Sequence, residues 1–168
     1  MTGFSPVLRS MMRTPPISGV IFNERGRPMA TIEVTLAISV DGVEVRTVTA
    51  DGVEVSVKNP QTANSQDTVT WVFTSGPDNL KVVFNRIQLP NGSGGLLPIE
   101  LQPLNERGPF YKPLSRSGNK ISGTIAPEAP RGRHIYEIRD GKNNPLRWLT
   151  LLDGQNFGGL DVPKTPPG

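Results

Sequence analysis

The sequence predicts an all-β fold, a Greek-key β-sandwich, and three observations carry that expectation. Glycine (18) and proline (17) together make up about a fifth of the 168 residues, a composition that suits many turns and short strands. Apolar and polar residues alternate over several short runs, the two-residue period of a half-buried strand. No stretch carries an apolar stripe of helical period over three turns. Roughly eight to ten short strand-like runs, about 8–12 residues apart, is the spacing of a sandwich.

Taken in order, residues 1–16 read as an extended arm. Pro6, Pro15 and Pro16 forbid a regular helix, while Phe4, Val7, Leu8, Met11 and Met12 are too apolar for an inert tail. A disordered terminus and a strap docked on its own domain or on a neighbouring subunit both fit this pattern. The sandwich is expected over residues 17–152, with N-terminal hairpin elements at 17–50 and the remainder at 51–152. A strand at 17–22 closes on the turn Asn23-Glu24-Arg25-Gly26. Within 31–40, Ile32, Val34, Leu36 and Ile38 share one face. Asp41-Gly42 is a hairpin signal into a strand at 43–50, and Asp51-Gly52 repeats it into 53–58.

Residues 59–66 read as a polar connection. Residues 68–74 form the clearest strand, with Val69, Trp71 and Phe73 on one face, and 80–84 follows after Gly76-Pro77-Asp78. The stretch 85–109 reads as one long irregular loop, of a length that is uncommon in compact domains and often functional. Strands are expected again at 120–125, at 134–139 with His134, Tyr136 and Ile138 sharing a face, and at 146–152. Residues 153–168, with Gly158-Gly159, Pro163, Pro166 and Pro167, read as an irregular C-terminal tail.

Composition excludes several chemistries. Cysteine is absent, so disulfides, thiolate metal sites and thiol nucleophiles are ruled out. The formal net charge is only +3, and the basic residues are interleaved with acids, the pattern of a mixed solvated surface more than of a nucleic-acid site. The first 16 residues lack the apolar run of about seven that a secretory signal needs, and no run approaches the ~20 of a membrane span. The expectation is a cytoplasmic protein without membrane insertion.

From about residue 51 to residue 152 the order of features resembles a bacterial cupredoxin-like domain. Gln66-Asp67-Thr68-Val69-Thr70-Trp71-Val72-Phe73 is similar to the strand written gDtVtW in that fold, and Gly108-Pro109-Phe110 to the element before its central loop. Ser122-Gly123-Thr124-Ile125 resembles the next strand. The run from Pro130 to Ile138 resembles the strand that leads to the metal loop, and Asn144-Pro145 the ending of copper-free members. An immunoglobulin-like sandwich shares several of these features. The resemblance implies a fold and no activity. A blue-copper site takes two His, a Cys thiolate and an axial Met. At the place of that Cys stands Ile138, the turn 139–145 has no His or Met, His134 is the single His, and every Met lies within the first 29 residues. No copper and no other cofactor is expected.

Candidate sites are few. His134 has no nucleophile motif attached to it, and a structural or surface role outweighs that of a general base. No pair among the 15 acidic residues stands out as glycosidase carboxylates. Gly92-Ser93-Gly94-Gly95 lacks the Lys-Ser/Thr ending of a phosphate loop and reads as a loop tip. Arg131, Arg133 and Arg139, with Arg107, Lys112 and Arg116, would form a basic patch only if their strands lie together. No catalytic, cofactor or metal residue is therefore assigned. The expectation is a non-catalytic protein acting through protein–protein contact or self-association, as a subunit of a larger assembly. Its contacts would be Phe4, Val7, Leu8, Met11 and Met12, then Leu96, Leu97, Ile99 and Leu101. The alternative is a ligand-binding module for carbohydrate or nucleic acid on the Arg-rich face.

Overall fold

The computed structural model describes residues 29–93, 95–101 and 108–163, and within them the chain is all β, with no helix. Eleven strands follow in order: β1 Thr31–Ser39, β2 Gly42–Ala50, β3 Val53–Glu54, β4 Gln61–Thr62, β5 Thr68–Phe73, β6 Lys81–Gln88, β7 Glu100–Leu101, β8 Ser115–Ser117, β9 Lys120–Thr124, β10 Gly132–Arg139 and β11 Gly158–Val162. They make a six-stranded sheet in the order β3-β2-β1-β5-β9-β8 and a five-stranded sheet in the order β4-β11-β10-β6-β7. Both sheets are mixed: β1 runs parallel to β5, and β11 parallel to β4. Their inner faces share one apolar core, so the architecture is a β-sandwich. The arm at 1–16, the strand expected at 17–22 and its turn lie outside the described residues.

Alternation builds the first sheet. Ile32, Val34, Leu36 and Ile38 on β1 are buried, as are Val69, Trp71 and Phe73 on β5. On β2 the inward set changes parity, from Val43 and Val45 to Val48, because the register shifts between Thr35 and Leu36 and leaves Arg46 as an extra residue. A second shift between Ile135 and Tyr136 makes Asn85 the extra residue on β6, so Val82 and Phe84 point inward before it and Ile87 after it. This bulge also carries β6 through residues 85–88, where a loop was expected. The sandwich is centred on aromatic rings. Trp71 of the first sheet meets Tyr136 and Phe84 of the second at 5.4 and 5.9 Å between centroids, and Phe110 at 5.9 Å. Tyr136 meets Trp148 edge-on at 5.5 Å. Each such pair contributes about 0.5–1.5 kcal/mol beyond simple burial.

Four expectations are corrected. Residues 158–162 belong to β11, in the interior of the second sheet, where Leu160 and Val162 are buried between β4 and β10. Glycine has low strand propensity, which is why this segment reads as a tail. It is chosen here because a side chain at Gly158 would sit 2.6 Å from Cζ of Tyr136 and 2.7 Å from Cη2 of Trp148. Residues 146–152 are no strand: a single parallel bridge ties Trp148 to Val43, and Leu149 and Leu151 are exposed. Apolar residues on both of its faces therefore do not mean burial on both. Of the strand expected at 53–58, only Val53–Glu54 pairs. The polar connection 59–66 turns through a cis Asn59–Pro60 bond into β4, with Gln61 buried.

Polar side chains fix where the strands begin. The buried carboxylate of Asp67 accepts the Ala30 N–H at 2.9 Å and the Asn64 N–H at 2.8 Å, holding the start of β1 against the turn before β5. Charge-assisted bonds of this kind contribute about 1.5–3 kcal/mol each, and removing the acceptor strands two donors. Asp67→Ala is expected to lower the free energy of unfolding by about 3 kcal/mol, read from urea denaturation. Gly158→Ala should cost about 1–3 kcal/mol in the same measurement, since two rings must give way. A loss under ~0.5 kcal/mol for either would contradict the packing described.

Candidate functional site

Of the residues expected to make contacts, Phe4, Val7, Leu8, Met11 and Met12 lie outside the described residues. Leu96 and Leu97 are each 38% exposed. They sit on an organised excursion from the second sheet: Leu97 N–H bonds to Leu89 O at 2.8 Å, Pro90 bridges Leu96, and Asn91 Oδ1 accepts from the N–H groups of Ser93 and Gly95. Ile99 is half-buried against a small cluster of Ile135, Leu152 and Phe157 on the outer face of the second sheet. Leu101 places its backbone in β7, opposite Arg86.

The arginines do not gather into one patch. Arg116 lies on β8 in the other sheet, exposed Lys112 stands over the Tyr111 ring at 5.8 Å, and Arg107 lies outside the described residues. On the outer face of the second sheet the charges are matched. Arg133 donates to both carboxylate oxygens of Asp161, at 2.8 and 3.1 Å, and to Asp153 at 3.0 Å. The Asp161 carboxylate, and then Asp153, raise its pKa above the usual arginine value. Arg86 and Arg139 share Glu137, at 3.1 and 2.7 Å, and Arg86 also lies over the Phe157 ring at 5.0 Å. Three guanidinium groups thus face three carboxylates, which leaves little field for a polyanion. Beside them a groove of about 710 Å³ runs between Pro90, Leu96, exposed Arg131, Arg133 and Asp161.

Among the described residues, several chemistry-bearing side chains are engaged in structural hydrogen bonds. His134 is fully buried, and its Nε2–H donates to Pro130 O at 2.8 Å. Ser75 Oγ is used twice by Ile38, accepting its N–H and donating to its carbonyl, each at 2.9 Å. Tyr136 donates to buried Gln61 at 2.6 Å, and burial pushes its phenol well above the ordinary range. Ile138, at the place the cupredoxin resemblance gives to a copper-binding Cys, is fully buried in the apolar core. Among the described residues, no three of His, Cys, Asp or Glu gather where they would hold a metal ion.

One surface was not legible beforehand. The outer edge of β2 is covered by two short segments. Toward its start, Leu149 N–H bonds to Val43 O at 2.7 Å and Val45 N–H to Thr150 Oγ1 at 2.9 Å. Toward its end, β3 pairs with Thr49 and Ala50, and Val55 N–H bonds to Val48 O at 2.8 Å. Asn59 joins the two segments, donating to Thr150 O and Phe157 O and accepting the Gly159 N–H. Both expose apolar side chains on this side of the sandwich: Val53, Val55 and Val57, with Leu149 and Leu151. The sequence signal was the alternation at 53–57, which reads as an ordinary strand because its inner face cannot be told from its outer one. Between this edge and β4 an apolar groove of about 200 Å³ opens toward the core, walled by Ile32, Val48, Ala50, Val55, Val57 and Pro60.

Burial lowers the His134 pKa below its ordinary value, with the Pro130 hydrogen bond and the Asp161 charge opposing. The unfolded imidazole titrates near 6.5, so below about that pH the unfolded chain takes up a proton that the folded chain resists. Stability should therefore fall as pH drops through this range and be unaffected by this residue above it. The urea midpoint should drop between pH 7 and pH 5, and by less in His134→Gln; an identical drop would contradict the assignment. As for relatives, no protein-family model matches this sequence, and no curated protein matches it.

Proposed function

We propose that this chain is a non-catalytic β-sandwich protein that acts by protein–protein contact, as a subunit of a larger assembly. One observation carries the reading: the apolar side chains left in solvent along the covered edge of β2. Val53 is 70% exposed, Val57 59%, Leu149 44% and Leu151 46%, on two segments bonded to the same strand and joined by Asn59. Scattered apolar residues on a surface need no explanation, whereas a group on one side is the mark of an interaction surface. The backbone at Val53, Glu54, Val55 and Leu149 is already bonded to β2, so there the surface offers side chains for packing. Leu96 and Leu97 form a secondary candidate on the other sheet.

The cupredoxin-like or immunoglobulin-like reading of the sandwich belongs to the same proposal. It is supported by the ordered run of Asp67, Trp71, Phe110 and Tyr136, all of which are buried. Apolar Ile138 in place of a thiolate supports a copper-free member. The alternative, a module for carbohydrate or nucleic acid on the Arg-rich face, has less support, because Arg86, Arg133 and Arg139 are already matched by carboxylates.

The double variant Val57→Lys/Leu151→Glu tests the reading. Both side chains are exposed, so its stability should stay within about 0.5 kcal/mol of the parent. Its self-association by sedimentation velocity, or its capture of a stoichiometric partner in cross-linked extract of its native cells, should weaken at least tenfold. A parent chain that is monomeric and partnerless in both measurements would overturn the proposal, as would a variant that binds unchanged.

A further inference from the structure

We infer that the partner at the edge of β2 is a second copy of this chain, related to the first by a two-fold axis that passes near Val57. This partner occupies the contact surface proposed above, on which the inference rests. It is singled out by the order of charged and apolar side chains along the edge, which complements itself when two edges lie antiparallel.

Backbone bonds to β2 give that order. Arg147 O accepts the Val43 N–H at 2.8 Å and Leu149 N–H donates to Val43 O, so both stand at the start of the strand. Thr150 Oγ1 accepts from Val45 N–H, which puts Leu151 next along the edge. At the far end Val55 N–H bonds to Val48 O, Glu54 pairs with Thr49 and Val53 with Ala50, and Asp51 follows in the turn beyond. Val57 lies between the two groups, close to the Asn59 that joins them. Trp148 is buried and Thr150 half-buried, so Arg147, Leu149 and Leu151 face solvent together.

The edge therefore runs from a basic end, through an apolar centre, to an acidic end. Arg147, Glu54 and Asp51 are all exposed, and neither Arg147 nor Glu54 has an ion pair among the described residues. Glu44 and Arg46, on β2 between the ends, neutralise each other at 3.1 Å. A two-fold contact uses the same patch on both subunits, so the patch must match itself after a half-turn. Here it does. Arg147 of each copy meets Glu54 and Asp51 of the other, Leu149 packs on Val53, Leu151 on Val55, and Val57 meets its own image near the axis. Lys58, exposed on the same segment, has a stem long enough to keep its charge in water beside the apolar centre. The stretch of β2 from Val43 to Ala50 is about 24 Å long at ~3.4 Å per residue, comparable to the side of a standard patch of about 800 Å² per partner. A foreign partner requires no such internal symmetry. The end charges set orientation and register, while the apolar centre supplies affinity.

Charge reversal tests the symmetry. The parent should dimerise in sedimentation velocity, and Arg147→Glu and Glu54→Arg should each weaken the dimer at least fivefold, because the two-fold repeats every reversed contact. An equimolar mixture of the two variants should recover nearly the parental affinity as mixed dimers, since each new charge then faces its opposite. Unchanged urea midpoints will show that both variants fold. A parent that stays monomeric at its highest soluble concentration, yet captures a different partner through Val57 and Leu151, would overturn this inference and leave the proposed surface standing. So would a dimer that Val57→Lys/Leu151→Glu dissociates while neither reversal weakens it, or reversals whose mixture fails to recover. A parent with neither dimer nor partner would overturn the proposed function, and this inference with it.

Discussion

The contact on which the rest of the structure depends is the edge packing of Trp71 against Tyr136 across the sandwich. Trp71 stands on β5, inside the first sheet, and Tyr136 on β10, inside the second. Phe84, Phe110 and Trp148 complete the group, each with a centroid within 6 Å of at least one other ring. Large rigid rings set the spacing between the sheets, and every nearby segment must conform to them. β11 conforms by having glycine where the rings of Tyr136 and Trp148 come closest. The phenol of Tyr136 adds a polar constraint, since its buried hydroxyl requires the acceptor that Gln61 supplies from β4. One aromatic pair thus ties together β5, β10, β11 and β4.

Around this centre, uncharged and acidic side chains do what longer strands do elsewhere. The edge strands β3, β4, β7 and β8 are only two or three residues long, which leaves few free backbone groups for another chain to pair with. The connections beyond them are held by clamps: Asn59 on the 150 and 157–159 segments, Ser75 on Ile38, Asn119 on Phe73 O, and Asn156 on the Trp148 N–H. Each replaces a ladder bond by a side-chain bond and so allows an irregular path over the surface. The same economy governs charge. Arg86, Arg133 and Arg139 stabilise their own sheet through Glu137, Asp153 and Asp161, while the edge of β2 exposes a group of apolar side chains. For that reason the functional reading turns on packing and not on electrostatic capture.

The sequence by itself determined the class of fold and the faces of its plainest strands. Ile32 to Ile38 and Val69 to Phe73 alternate so regularly that burial on one side follows from the two-residue period alone, and the absence of cysteine excludes a thiolate copper site without any coordinates. Tertiary structure decided the rest, for identifiable reasons. Gly158-Gly159 pairs in β11, with Tyr136 and Trp148 excluding a side chain at Gly158 and Leu152 crowding Gly159, and glycine carries no apolar signal of its own. The bulges at Arg46 and Asn85 reverse the parity of β2 and β6, and parity is the only thing that alternation encodes. The exposed valines at 53–57 and leucines at 149 and 151 look like core residues in one dimension. Whether an apolar residue is covered depends on which distant segment lies over it, and that is a property of the folded chain.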